Sequence, residues 1–230
     1  MLPIEKDVEG KPEIHYTRVW YKWKSWVDNS SIAAIFYQSV TFLNENGAID
    51  LSMLNGDGTN VVSKLRAQEV GYSGHKHQRG DKLIPIIDNA GNVLAPLTLA
   101  PVNQSDMIQL PHALKDLDKT CEQCNLIIPE GTPLNLDPGF DSRKNRQLIW
   151  KRKLKPNIKA NPRGRKKVKR GRPRYFDPKV YKKRTVIERT FAWEDKFRRI
   201  IVRFEWLKET YLAFHLLAFS LINFRSLQRT

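Results

Sequence analysis

Cysteine is almost absent: Cys121 and Cys124 are the only two thiols in 230 residues. Lying so close together, they cannot cross-link distant parts of a secreted scaffold, which excludes a disulfide framework and favours a reducing compartment. A chain of this length can bury a core without such staples. The N-terminus, MLPIEKDVEGKPEIHY, lacks the basic start, apolar stretch and small-residue cleavage site of a secretory signal. Long hydrophobic runs are missing as well. The most apolar segment, Tyr211 to Phe224, contains His215 and Asn223 and is shorter than the about 20 residues that cross a bilayer. It reads as a buried helix, and no membrane partner is expected.

Acidic residues are missing where basic ones crowd. Of 40 Lys and Arg, sixteen fall between Ser142 and Arg174, a stretch that holds none of the 24 Asp and Glu. Outside it the two signs balance, so the formal net charge of +16 belongs to this strip. A localised cationic strip binds a polyanion by releasing its counterions, which points to nucleic acid. Pro156, Pro162 and Pro173 interrupt the turns that an amphipathic membrane helix would need.

Aromatic and aliphatic residues recur at helical spacing from Thr17 to Leu43, with Asp28 to Ser31 as turn and N-cap, which predicts two helices. Apolar runs at Ala48 to Leu54, Lys82 to Ile87 and Val93 to Ala100 read as strands, the last two joined in a hairpin by Asp88-Asn89-Ala90-Gly91-Asn92. Ser105 should cap a helix reaching Leu117. Thr132 to Leu136 should form a short strand, and another helix should start near Ser142. The proline-broken segment 154–178 reads as a loop with a short strand at Asn157 to Ala160. After Pro178 the helical pattern returns, and a last helix is expected from Thr210 to Leu227. This order predicts an α/β fold with a mixed sheet covered on both faces.

Three acidic positions stand out by their surroundings. Asp57 follows a predicted strand in Leu54-Asn55-Gly56-Asp57-Gly58-Thr59, and Asp137 ends another in Leu134-Asn135-Leu136-Asp137-Pro138-Gly139. Each also fits a plain turn, with Asp141 or Ser142 capping the next helix. Glu188 lies on a helix four residues after Arg184, a spacing that also fits a surface ion pair. Ligands bind at the carboxyl ends of strands in α/β sheets, where two such aspartates can converge and a helical glutamate can complete the cluster. Three converging carboxylates need a cation, and Mg²⁺ takes oxygen ligands of this kind.

Three segments, in order, resemble DDE transposases of bacterial insertion sequences. They are LNGDGTNVVSK with the hairpin region after it, LNLDPGFDS, and GRPRYFDPKVYKKRTVIERTFAWEDKFRRIIVRFE. The third is similar to the family pattern Tyr-x2-Arg-x3-Glu-x6-Lys at Tyr181, Arg184 and Glu188; at the final position Asp195 stands, with Lys196 beside it. The resemblance implies a ribonuclease-H-like mixed sheet flanked by helices. It divides the chain into a short helical prelude at 1–46 and a catalytic domain at 47–230 with a basic DNA-binding loop at 154–178. It implies Asp57, Asp137 and Glu188 as catalytic metal ligands for two Mg²⁺ ions, with Mn²⁺ as the alternative. Tyr181, Arg184, Lys196, Lys166, Lys167, Arg170, Arg172 and Arg174 would contact DNA. The expected activity is metal-dependent strand cleavage and strand transfer in the bacterial cytoplasm, at the nucleoid. The partners would be terminal inverted repeats and target double-stranded DNA, with a homodimer in the synaptic complex. The prelude is shorter than the end-recognition region of complete members. That leaves open a separate upstream-frame polypeptide, or a catalytically incomplete remnant acting as a DNA-binding or regulatory protein.

Weaker signals each have two readings. Arg170-Gly171-Arg172-Pro173 fits either a minor-groove hook or a loop on phosphates. Cys121 and Cys124 form half of a zinc site with no second pair. His75 and His77 fit a phosphate contact or a solvent-facing hairpin edge. Trp20, Trp23 and Trp26 suit stacking on nucleic acid or a packed helix face.

Overall fold

The computed structural model describes residue 6 and residues 8–11, 13–161 and 174–227. Its sheet contains β1 (Leu54–Gly56), β2 (Thr59–Ser63), β3 (Gly71–Ser73), β4 (Gln78–Asp88), β5 (Val93–Pro101), β6 (Pro133–Leu136), β7 (Lys155–Ile158) and β8 (Val202–Arg203). The path across it is β7-β6-β1-β4-β2-β8, and β3 and β5 also pair with β4. β1 and β2 both run antiparallel to β4, at Gly56↔Ile86 and Thr59↔Leu83, so Asp57 and Gly58 interrupt what is otherwise one line of pairing. On its other edge β1 is parallel to β6, and β6 is parallel to β7. Every residue of β4 from Leu83 to Asp88 is buried, as in a strand covered on both faces.

The expected hairpin is present, and the Asp88 side chain builds its turn. That carboxylate accepts from the amides of Gly91 (2.8 Å) and Asn92 (2.7 Å) and from the Asp50 amide (2.9 Å). This also explains a difference from expectation: the apolar run from Ala48 forms a strand only from Leu54 onward. The Asp50 and Ser52 amides go to carboxylates, and the Ala48 carbonyl accepts from Asn92 Nδ2. Side chains have taken the backbone groups that a ladder would use.

α1 (Tyr16–Asp28) and α2 (Ser31–Glu45) form as the spacing predicts. α2 buries Ile32, Phe36, Val40 and Leu43 along one stripe, the pattern of a core-facing helix, and packs on the C-terminal helix α8 (Lys208–Leu227). Asn223 of α8 accepts from the Val93 amide (2.9 Å) and donates to the Val93 carbonyl (3.1 Å) and Ser39 Oγ (3.0 Å). An amide inside an apolar helix thus satisfies the backbone at the start of β5. No helix among the described residues is long and apolar enough to cross a membrane.

α3 (Asp106–Gln123) packs on β5 and β4 and runs past Leu117 to enclose Cys121. Pro111 sits inside it and cannot donate to the Met107 carbonyl; Asn145 of α4 (Arg143–Lys151) donates there instead, at 3.1 Å. The remaining helices are α5 (Pro178–Lys182), α6 (Val186–Glu194) and α7 (Arg198–Ile201). A mixed sheet flanked by helices is consistent with the expected ribonuclease-H-like architecture.

Candidate active site

β1 and β6 are parallel neighbours in register, Leu54↔Leu134 and Gly56↔Leu136, so Asp57 and Asp137 leave the same end of the sheet side by side. One guanidinium meets both. Arg184 Nη1 donates to Asp57 Oδ2 at 2.7 Å, and Arg184 Nη2 lies 3.5 Å from Asp137 Oδ1. The Gly58 amide donates to Asp57 Oδ1 (2.9 Å). Asp137 also caps the tight turn Pro138–Phe140 by accepting from the Gly139 amide at 3.4 Å, so it serves both the turn and the site. Burial pushes the Asp57 carboxyl above the usual range; Arg184 opposes that rise and the Asp137 charge adds to it.

Arg184 is delivered by the helical segment after Pro178. Asp177 caps α5 by accepting from the amides of Lys179 (2.8 Å) and Val180 (3.2 Å). Tyr181, one turn on, lies with its ring centroid 5.5 Å from the Arg184 guanidinium carbon and 5.2 Å from the Phe176 ring. Glu188 is exposed in the first turn of α6. The Arg184–Glu188 ion pair that spacing alone suggests is not formed, because Arg184 faces the aspartates. Among the described residues no three His, Cys, Asp or Glu side chains gather closely enough to hold a metal ion. The structure therefore brings Asp57 and Asp137 together and leaves Glu188 outside that pair.

The donor chemistry of the two aspartates is that of a hard-cation site. Oxygens from two strands converge on a single positive group, the Arg184 guanidinium, and carboxylate oxygens are the donors that Mg²⁺ and Mn²⁺ take.

Two features of this site escaped the sequence reading. The first is Asp106, the first residue of α3, which pairs with Lys82 at 2.7 Å. A Cβ on Gly58 would lie 3.1 Å from its Oδ1, and one on Gly139 would lie 3.0 Å from its Oδ2. Both aspartate loops thus close over one carboxylate, and the glycines permit the approach. The second is a row of asparagines. Asn55, Asn135 and Asn157 occupy matched positions on β1, β6 and β7, all fully buried. Asn135 Nδ2 donates to Asn55 Oδ1 (2.8 Å), and Asn157 Nδ2 donates to Asn135 Oδ1 (2.7 Å). The Asp177 amide then donates to Asn157 Oδ1 (2.7 Å), and the Asp177 carbonyl accepts from Asn157 Nδ2 (3.1 Å). The signal was available: Leu-Asn-x-Asp occurs at both 54–57 and 134–137.

Of the residues expected to contact DNA, Lys166, Lys167, Arg170 and Arg172 lie outside the described residues. Arg174 is paired with the buried Asp141 at 2.7 Å. Asp141 also holds Arg146 Nε (2.8 Å) and accepts from the Asn161 amide (3.3 Å), so the two described ends of the basic strip meet at one carboxylate. Lys196 is exposed and rests 3.8 Å from the centroid of the Trp193 ring, which Arg225 approaches at 3.7 Å.

The weaker signals separate on geometry. Burial raises both thiols, Cys121 to about 11, and Cys124 Sγ donates to the Tyr37 carbonyl at 3.3 Å. Neither belongs to a metal-binding group among the described residues. Trp23 stacks on Phe214 with centroids 4.2 Å apart, while Trp20 and Trp26 remain exposed. His75 and His77 lie in the exposed turn between β3 and β4.

No curated protein matches the sequence significantly. A family model described as the transposase DDE domain matches residues 134–225, a span that includes Asp137, Arg184 and Glu188. Over that span the chain is similar to the DDE transposases.

Proposed function

We propose that the chain is a transposase that catalyses metal-dependent cleavage and transfer of DNA strands at insertion-sequence ends. One observation carries this reading: Asp57 and Asp137, from neighbouring parallel strands, converge on a single cationic group. In that reading both aspartates are metal ligands. Glu188, four residues after Arg184 and outside the aspartate pair in this structure, completes the set when Arg184 turns from the aspartates to DNA. Divalent ions held by these carboxylates, Mg²⁺ or Mn²⁺, would supply charge stabilisation for an in-line phosphoryl displacement. The protein itself forms no covalent bond. Water attacks the phosphodiester at the transposon end and frees a 3′-hydroxyl, and that hydroxyl then attacks a target phosphodiester and displaces its 3′-oxygen.

The other residues bind and orient. Tyr181 and Arg184 border the aspartates, and the acid-free strip from Ser142 to Arg174 neutralises backbone phosphates. Lys166, Lys167, Arg170, Arg172 and Lys196 belong to that DNA surface, whereas Arg174 anchors the strip through Asp141. The catalytic portion is 47–230, with 1–46 as a helical prelude. Two copies synapse the terminal inverted repeats and present them to target duplex, with or without an upstream-frame polypeptide.

A second reading, a catalytically incomplete remnant that only binds DNA, draws on one observation, the position of Glu188 outside the aspartate pair. Strand cleavage separates the two. With Mg²⁺ and an end-bearing duplex, wild type should nick, and Asp137→Ala and Glu188→Gln should lose at least a hundredfold in rate while still binding DNA. Equal cleavage by all three proteins would refute the catalytic assignment, and binding without cleavage by wild type would favour the remnant.

A further inference from the structure

We infer that Asn55, Asn135 and Asn157 are positioning residues, a side-chain ladder that fixes the two aspartate loops and the Tyr181–Arg184–Glu188 segment relative to one another. Their role presupposes the two-aspartate site proposed above. Backbone pairing alone specifies this register weakly, since β1 is three residues long and β6 and β7 are four each. Short strands slip, and a slip of one residue turns every side chain to the other face. The amides prevent it. Asn55, Asn135 and Asn157 are fully buried and bonded side to side in register. Displacing either neighbouring strand by one position would face Asn135 with leucine, glycine, proline or isoleucine and leave buried donors and acceptors unmade, which is costly. Buried asparagines set the register of coiled coils by the same physics.

Position then follows. Asp57 and Asp137 each stand two residues beyond a ladder asparagine, so aligning the amides aligns the carboxylates. At the other end Asn157 grips both backbone groups of Asp177, as a neighbouring strand would. Asp177 is the cap from which α5 starts, and Tyr181, Arg184 and Glu188 follow it by four, seven and eleven residues on the helical segments that run on from that cap. The ladder therefore ties the third acidic motif to the strands bearing the first two, although 20 residues of chain separate Asn157 from Asp177.

Hydrogen exchange on the full chain, followed by Mn²⁺ titration calorimetry, tests this. In Asn157→Ala, amides of residues 179–190 should exchange at least tenfold faster while those of β4 and β5 keep wild-type rates, and the Mn²⁺ Kd should rise at least tenfold. Asp177→Ala removes the cap but keeps the backbone contacts, so its Mn²⁺ Kd should stay within threefold of wild type. Wild-type exchange across 179–190 in Asn157→Ala, equal acceleration in β4 and β5, or an equal loss of Mn²⁺ affinity in Asp177→Ala would each overturn the ladder's role. If Asn157→Ala does not fold, Asn157→Ser, which keeps one polar atom, is read by the same criteria. Exchange needs no metal, so absence of Mn²⁺ binding by wild type would overturn the site reading separately from the tether.

Discussion

Arg184 donates to Asp57 at 2.7 Å and stands 3.5 Å from Asp137, so one guanidinium serves as counter-ion to carboxylates from two strands. A divalent cation must compete with it. Arg184→Gln should therefore bind Mn²⁺ more tightly than wild type in calorimetry. Without metal it should lose about 1–3 kcal/mol of stability, the cost of leaving a largely buried carboxylate without its partner. Weaker Mn²⁺ binding in this variant would show that Arg184 does not occupy the cation's place.

Asp141 holds the two described ends of the basic strip, pairing with Arg146 and Arg174. Burial alone would raise its carboxyl, but Arg146, the Asn161 amide and Arg174 outweigh burial and hold it below the usual range. A lowered carboxylate stabilises the fold above its unfolded pKa, about 3.9 for Asp, and that stability is lost as pH falls through the lower folded value. Asp141→Asn should thus be less stable than wild type by about 3 kcal/mol at neutral pH, as for a broken buried pair. The gap should narrow below about pH 3.9. Melting curves across that range check it, and a gap independent of pH would contradict the assignment.

The strip's role is read through salt. Replacing Lys166, Lys167, Arg170 and Arg172 by alanine should weaken binding to duplexes of any sequence. It should also reduce the slope of log K against log salt by about 0.9 for each phosphate that is no longer neutralised. Filter binding at several salt concentrations measures this. An unchanged slope would remove these side chains from the DNA surface.

Cys121, raised to about 11 by burial, should be inert in the native protein. At pH 8 about one thiol in a thousand is ionised there, against about a quarter for a free thiol near 8.5. Maleimide should modify Cys121 only after denaturation. Native labelling at the rate of a free thiol would mean that the C-terminal end of α3 is open.

Much of this architecture was legible, for identifiable reasons. The α2 stripe and the β4–β5 hairpin follow from periodicity and from the Asp88–Asn92 turn. The strand before Asp57 was expected, whereas β2 after it was not. β1 forms at 54–56 where the apolar pattern placed a strand at 48–54, because alternation says nothing about side chains, such as Asp50, Asp88 and Asn92, that capture the backbone from across the fold. Arg184 at four residues from Glu188 suggested a local pair, and a contact 127 residues away replaced it. The asparagine ladder was hidden because an asparagine before a turn normally reads as turn chemistry. Only strand register shows that these amides touch.

The most direct measurement is Mn²⁺ binding by wild type, Asp57→Asn and Asp137→Asn, since the proposed chemistry requires those two carboxylates to form one cation site. Wild type should bind, and each substitution should weaken binding at least tenfold while melting within a few degrees of wild type. Undiminished binding in either variant would mean that Asp57 and Asp137 do not share an ion, and the proposed catalytic chemistry would lose its foundation.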